Sequence, residues 1–279
     1  MRLAISNIAW PAGADEAVAP LLHRHGVEGV ELALTKIWPE PLAEPVAEVR
    51  AYRERWEKRG VRIAALQALL FGKPQLTLFD SEAVRRQTLD YLEGIIERAA
   101  WLGAAALVFG SPKNRRRGER SPSEAWDIAV PFFRALGRIA RRQGVCFCIE
   151  PNPADYGCDF VTAVAEGIEL VDAVAEEGFG LHLDTGGMAL AGDTPAASIT
   201  AAGDRCQHFH ISEPFLAEVG SGTAVHGECA EALRARDYRG WVSIEMGEVK
   251  EQCAWRAAMD RALNFARATY GVGGSHGGE

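Results

Sequence analysis

Short runs of aliphatic, β-branched and aromatic residues alternate along this chain with longer stretches in which apolar positions recur every three to four residues. The first pattern suits a buried strand and the second an amphipathic helix. Read in order, they predict strands over 2–6, 28–32, 62–67, 105–109, 145–150, 179–184, 206–210 and 241–245. Helices are predicted over 14–25, 43–59, 81–102, 122–143, 160–177, 194–202, 227–237 and 252–269. Gly26, Gly60, Gly103 and Gly144 each stand just ahead of a strand, where a left-handed residue ends a helix. Ser121, Asp159 and Asp193 are the expected N-caps.

Eight strand-then-helix units predict an α/β fold, a single (β/α)8 TIM barrel over 1–270, with the Gly-rich stretch 271–279 as a disordered tail. An open doubly wound nucleotide-binding sheet would carry a Gly-rich phosphate fingerprint after an early strand, and SNIAWPAGAD has none. Composition agrees with one large domain: 279 residues, 48% hydrophobic, can bury a substantial core. The net charge of −8 argues against general nucleic-acid binding. No run approaches the roughly 20 apolar residues of a membrane span, and MRLAISNIAW lacks the pattern of a secretory signal, so a cytoplasmic location is expected. Six cysteines in a chain of this length are expected to be ordinary thiols.

The candidate chemistry lies at the ends of the last four predicted strands. Glu150, Asp184, His210 and Glu245 close VCFCIE, FGLHLD, CQHFH and WVSIE, at intervals of 34, 26 and 35 residues, each about one barrel unit. Three carboxylates and an imidazole at one end of a barrel suit a hard or borderline divalent cation, Mn2+ first, with Mg2+, Co2+ or Zn2+ as alternatives. Without a cation, like charges gathered together would repel. Strand alternation puts Cys146 and Cys148, His182, His208 and Ser243 on the same faces as these four residues. His182 and His208 are therefore expected to form a second layer that orients the ligands.

This set, together with FGSPKNR, EPNPADYGCDF, HLDTGG, HFHISEP and DYRGWVSIEM, resembles the xylose isomerase-like TIM barrel superfamily over essentially the whole chain, notably its sugar phosphate isomerase/epimerase branch. The resemblance implies that Glu150, Asp184, His210 and Glu245 hold one divalent metal ion, and that Glu150 and Glu245 flank the reacting carbon. The implied reaction is proton transfer beside a carbonyl through a metal-stabilised enediolate. The substrate would be a sugar, sugar phosphate or sugar acid. A dehydratase of the inosose or dehydroshikimate type shares the first step and is the alternative; a carbohydrate-binding barrel without turnover is a third. Gly187, Tyr156 and Leu216 stand where ketose 3-epimerases usually carry a histidine, a carboxylate and an arginine. Gly187 also replaces a histidine of the three-zinc apurinic endonucleases.

Substrate contacts are expected from the loops at the same face. The segment Ser111 to Arg120 holds five basic residues and one acidic, and Lys113 and Arg115 are candidates to clamp an anionic group; a solvated charged loop is the competing reading. Asn152, Tyr156, His226, Glu31 and Gln67 are further candidates for a polyol, and Asn7 and Trp10 for a stacking wall. The partner is expected to be a small carbohydrate or related polyol, with homo-oligomerisation left open.

Overall fold

A computed structural model describes residues 1–251 and 254–271. Eight parallel strands close into a barrel in chain order, β1 (Arg2–Ser6), β2 (Gly29–Ala33), β3 (Arg62–Gln67), β4 (Ala106–Phe109), β5 (Cys146–Ile149), β6 (Phe179–Asp184), β7 (Cys206–Ser212) and β8 (Trp241–Glu245), with β8 paired to β1. Around them, among the described residues, run α1 (Asp15–Arg24), α2 (Val46–Glu57), α3 (Glu82–Leu102), α4 (Pro122–Arg142), α5 (Val164–Val174), α6 (Thr185–Ala191), α7 (Pro195–Ala202), α8 (His226–Ala235) and α9 (Ala254–Tyr270). The main core lies between barrel and helices. Phe133 of α4, for example, meets Phe109 edge-on at 5.7 Å and stacks on Phe179 at 5.2 Å.

Helix ends follow local chemistry. Gly26, Gly60, Gly103 and Gly144 all take positive φ, and Ser121 forms a full capping box with Glu124 at the start of α4. The other two expected caps act elsewhere. Asp193 precedes α7 but accepts from Val164 N at 3.2 Å, in the first turn of α5. Asp159 lies ahead of α5, which begins only at Val164, and accepts instead from the backbone of Arg117 and Gly118. The helix α6 was not expected, because Thr185-Gly186-Gly187 reads as loop. It forms because Asp184 caps it, accepting from Gly187 N at 2.5 Å.

Inside the barrel the filling is unusually polar. Glu31, His182, His208 and Ser243 are fully buried, where barrels of this class more often place branched aliphatic side chains. The five cysteines among the described residues are free thiols; Cys253 and the expected tail, from residue 272 onward, lie outside the described residues. No described helix is long and apolar enough to cross a membrane.

Candidate active site

Parallel register brings the four strand-end residues together. Asp184 pairs with His210, and Ser212 pairs with Glu245. β7 continues two residues past His210, where Ser212 is locked to the end of β6 and the start of α6: its N–H donates to Thr185 Oγ1 at 2.7 Å, and its hydroxyl donates to Asp184 Oδ2 at 2.5 Å. Glu150 follows β5, and its carboxylate lies against Gly110, where an added Cβ would come within 2.3 Å of Oε2. Only glycine permits that approach. Donor atoms of Glu150, His182, Asp184 and His210 all lie within 4.8 Å of one another. Glu245 joins through His210, whose Nδ1 is 3.3 Å from Glu245 Oε2 and 3.7 Å from Asp184 Oδ2.

Beneath this layer sits Glu31. It was expected to touch substrate, but it lies inside β2, which runs on to Ala33, so its side chain points into the barrel and is fully buried. Its Oε2 is 2.9 Å from His210 Nε2 and 3.2 Å from His208 Nε2. Burial would raise the pKa of this carboxyl, but the two imidazoles outweigh it and hold the group well below the usual range. Burial likewise opposes a charge on His210, yet Glu31 and Glu245 drive its pKa well above the ordinary value. His182, with neither ring nitrogen hydrogen-bonded, is pushed well below it by burial and by the two other histidines.

The upper layer fits a divalent cation. His210 Nδ1 is buried without a hydrogen-bond partner and faces two carboxylates. Glu150 keeps slight access from the cavity, while its carboxyl group is surrounded by protein. That burial, with the neighbouring Glu245 and Asp184 charges, pushes it up to about 8. Burial and Glu245 push Asp184 up to about 6. Carboxylates that resist ionising together, gathered around one imidazole nitrogen, form a donor set that a 2+ ion would relieve.

A cavity of about 500 Å³ opens above these residues, and Gln67, Lys113, Asn152 and Tyr156 are on its wall. The other expected contacts are not. Arg115 is fully buried and its guanidinium donates to four backbone carbonyls, Gly110 at 2.7 Å, Phe160 at 2.5 Å, Val161 at 3.3 Å and Glu150 at 2.6 Å. Its planar fork suits converging carbonyls as well as it suits an anion. It ties the loop after β4 to the loop that carries Glu150. His226 is buried between Glu213 Oε1 at 3.0 Å and the Tyr270 hydroxyl at 2.9 Å. Trp10 is also buried, donating to Asp15 rather than facing the cavity.

Several residues of the site carry no signal in sequence. Glu213 is buried on the cavity wall and accepts from Gly220 N and Ala224 N at 3.1 Å each, which folds the loop after β7 around it. A Cβ at Gly222 would lie 2.2 Å from its carboxylate. Glu213 stands within HFHISEP, but a carboxylate beside proline reads as loop. Phe71 and Phe215 on the cavity mouth look in sequence like scattered apolar residues, whereas Leu216 beside them holds the position at which the resemblance expected an arginine.

Comparison with known proteins places this architecture. A family model described as xylose isomerase-like TIM barrel matches residues 20–269. A probable ketose 3-epimerase from Synechocystis sp. is 27% identical over 288 residues, spanning 97% of this chain and 97% of that protein. A D-psicose 3-epimerase from Enterocloster bolteae is 30% identical over 223 residues, spanning 69% of this chain and 70% of that protein. The crystal structure of D-psicose 3-epimerase with D-tagatose from Clostridium cellulolyticum H10 superposes with a TM-score of 0.80 at 18% identity, covering 97% of this chain and 99% of that one.

Proposed function

From the fact that this chain belongs to the xylose isomerase-like TIM barrel family, we propose that it is a divalent-metal-dependent isomerase or epimerase of a keto sugar. The observation that carries this reading is the gathering of Glu150 and Glu245 with Asp184 and His210 on one cavity floor. All four would hold the cation, Mn2+ before Mg2+, Co2+ or Zn2+, as suits three carboxylates and one imidazole. When bound, it supplies positive charge where negative charge develops on a carbonyl oxygen as the neighbouring C–H is deprotonated.

The proton itself is moved by the chain. One of Glu150 and Glu245 takes the proton from the carbon beside the carbonyl, and the other returns a proton. Return to the same carbon from the opposite face gives the epimer, and return to the former carbonyl carbon gives the isomer. Glu31, bonded to His210 Nε2, fixes the ring so that Nδ1 faces the cavity floor. Asn152, Gln67, Tyr156 and Lys113 offer the polar contacts on the wall. The related ketose 3-epimerases act on a ketose, and the same substrate class is our expectation here.

The test is hydrogen exchange. With Mn2+ and a panel of ketoses and phosphorylated sugars in D2O, deuterium should enter at the carbon beside the carbonyl of at least one member. Loss of water with an enone chromophore would assign the chain to the dehydratases instead. Binding across the panel without exchange would sink the catalytic reading.

A further inference from the structure

Beneath the carboxylate floor three imidazoles gather, and the proposed reaction uses only one of them, His210. Pairing of β6 with β7 sets His182 against His208 and Asp184 against His210, and alternation turns all four side chains inward. The rings of His182 and His210 meet edge-on at 4.1 Å, and the ring of His208 is 5.3 Å from the first and 5.4 Å from the second. One nitrogen from each ring lies within 4.8 Å of the other two. All three residues are buried, His182 and His208 completely.

Their hydrogen bonding leaves lone pairs over. Glu31 Oε2 engages Nε2 of both His208 and His210. A histidine held by a carboxylate through one nitrogen is oriented to bind a cation through the other. Nδ1 of His208 has no hydrogen-bond partner, and neither nitrogen of His182 has one. Nitrogen atoms buried in this way are costly unless something engages them. Each neutral imidazole offers one lone pair, so three such rings about one point make a nitrogen-only donor set. To reach a zinc ion with bonds of about 2.0–2.1 Å, the three nitrogens need draw in by less than about 1 Å each.

Donor type separates this set from the one above it. Three carboxylates and one imidazole suit Mn2+ or Mg2+, whereas a purely imidazole set suits Zn2+. His182 belongs to both groups, because a nitrogen of it also lies within 4.8 Å of donor atoms of Glu150, Asp184 and His210. The two positions are therefore contiguous. We infer that His182, His208 and His210 form a second cation station one layer below the carboxylates, which takes Zn2+ through nitrogen and holds it away from the reacting carbonyl. His210, with Nε2 committed to Glu31, has a single nitrogen to give. The stations are thus alternatives, and the chain carries one ion at a time. Zinc fills the protein without supporting proton transfer. The inference rests on the proposed function for the upper station only; the lower one stands on the imidazoles themselves.

Metal-free protein titrated with Zn2+ should hold one equivalent per chain, and X-ray absorption at the zinc edge should show three imidazoles around it. A spectrum with a single imidazole, as the carboxylate set supplies, overturns the inference. So does a second tightly held equivalent, which His210 could not serve. His182→Phe keeps a ring of similar size and removes the donor. It should weaken Zn2+ binding about 10-fold or more and change Mn2+ binding by less than about 2-fold. An equal change for both ions, or none, gives His182 to packing and removes the station. Should that variant fail to fold, the spectrum of the parent protein decides alone. The zinc form should not exchange deuterium into a ketose that the Mn2+ form exchanges; equal exchange would return zinc to the carboxylates. The metal measurements are made without substrate, so absence of exchange in the Mn2+ form would remove the proposed reaction and leave the zinc result standing.

Discussion

The floor and the mouth of the cavity are made from different materials. The floor is built on strands: Asp184, His210 and Glu245 are placed by register, buried or nearly so, and packed on a second polar layer of Glu31, His182 and His208. The mouth is built on loops after β3, β4 and β7, in left-handed backbone, with apolar rings turned outward. Strand residues cannot shift without disturbing the barrel, whereas loop residues can be exchanged one at a time. Under the proposed function the difference would divide the labour, the floor deciding whether a bound carbonyl compound reacts and the mouth deciding which compound binds.

The sharpest way to break that division is through the two glutamates. Glu150→Gln and Glu245→Gln should each lower exchange on a single ketose by about 10²–10⁴-fold with the circular dichroism unchanged. Full turnover in either variant would remove the assigned proton transfer. One layer down, Glu31→Gln keeps the size of the side chain and removes the charge shared by His210 and His208. Metal affinity should fall roughly 10–100-fold, as for other partners of metal-binding histidines. Unaltered metal affinity with a raised KM would return Glu31 to the substrate contacts first expected of it.

The floor was also the legible half. Strand ends announce themselves, because a carboxylate or imidazole closing a β-branched run is conspicuous, and unit-length spacing carries over into register. The burial of His182 and His208 was readable from alternation, but an orienting bond from His182 was not, since neither of its ring nitrogens is hydrogen-bonded. The partner of His208, Glu31, was visible as a polar residue on the second strand, but its depth depends on β2 running one residue further, to Ala33, a difference at the limit of what apolar patterns resolve. Arg115 and Lys113 are two residues apart in one basic loop, and nothing in their types separates a guanidinium that binds four carbonyls from an ammonium that faces a cavity. Most of the mouth was illegible for a related reason: Phe215 is assigned to it by backbone conformation, which non-glycine residues do not advertise, and Leu216 was read only as standing in place of an arginine.

Arg115 tests the boundary between the halves. Arg115→Met removes donors from four backbone carbonyls, two of them fully buried, and should destabilise the chain by about 3 kcal/mol or more, read as a lower denaturant midpoint. Binding of an anionic sugar relative to a neutral one should be unaffected beyond that loss. A selective loss of anion binding at unchanged midpoint would restore the clamp first read from the loop.

The smallest expected effect separates what the floor does for reaction from what it does for stability. In the folded chain without a cation the Glu150 carboxyl titrates near 8, against 4.5 for an ordinary glutamate. Below about pH 4.5 the group is protonated whether the chain is folded or not, and its full contribution to stability is present. As pH rises towards 8 the unfolded chain releases a proton that the folded chain retains, so stability falls through this window. Glu150→Gln cannot titrate. In EDTA it should match the parent at pH 4.5 and melt higher at pH 8, by roughly 2–6 °C. With excess Mn2+ the order should invert, because the parent gains binding energy that the variant lacks. A variant no more stable than the parent at pH 8 in EDTA would mean that the crowded carboxylates impose no strain on the fold. The floor would then differ from the mouth in chemistry alone.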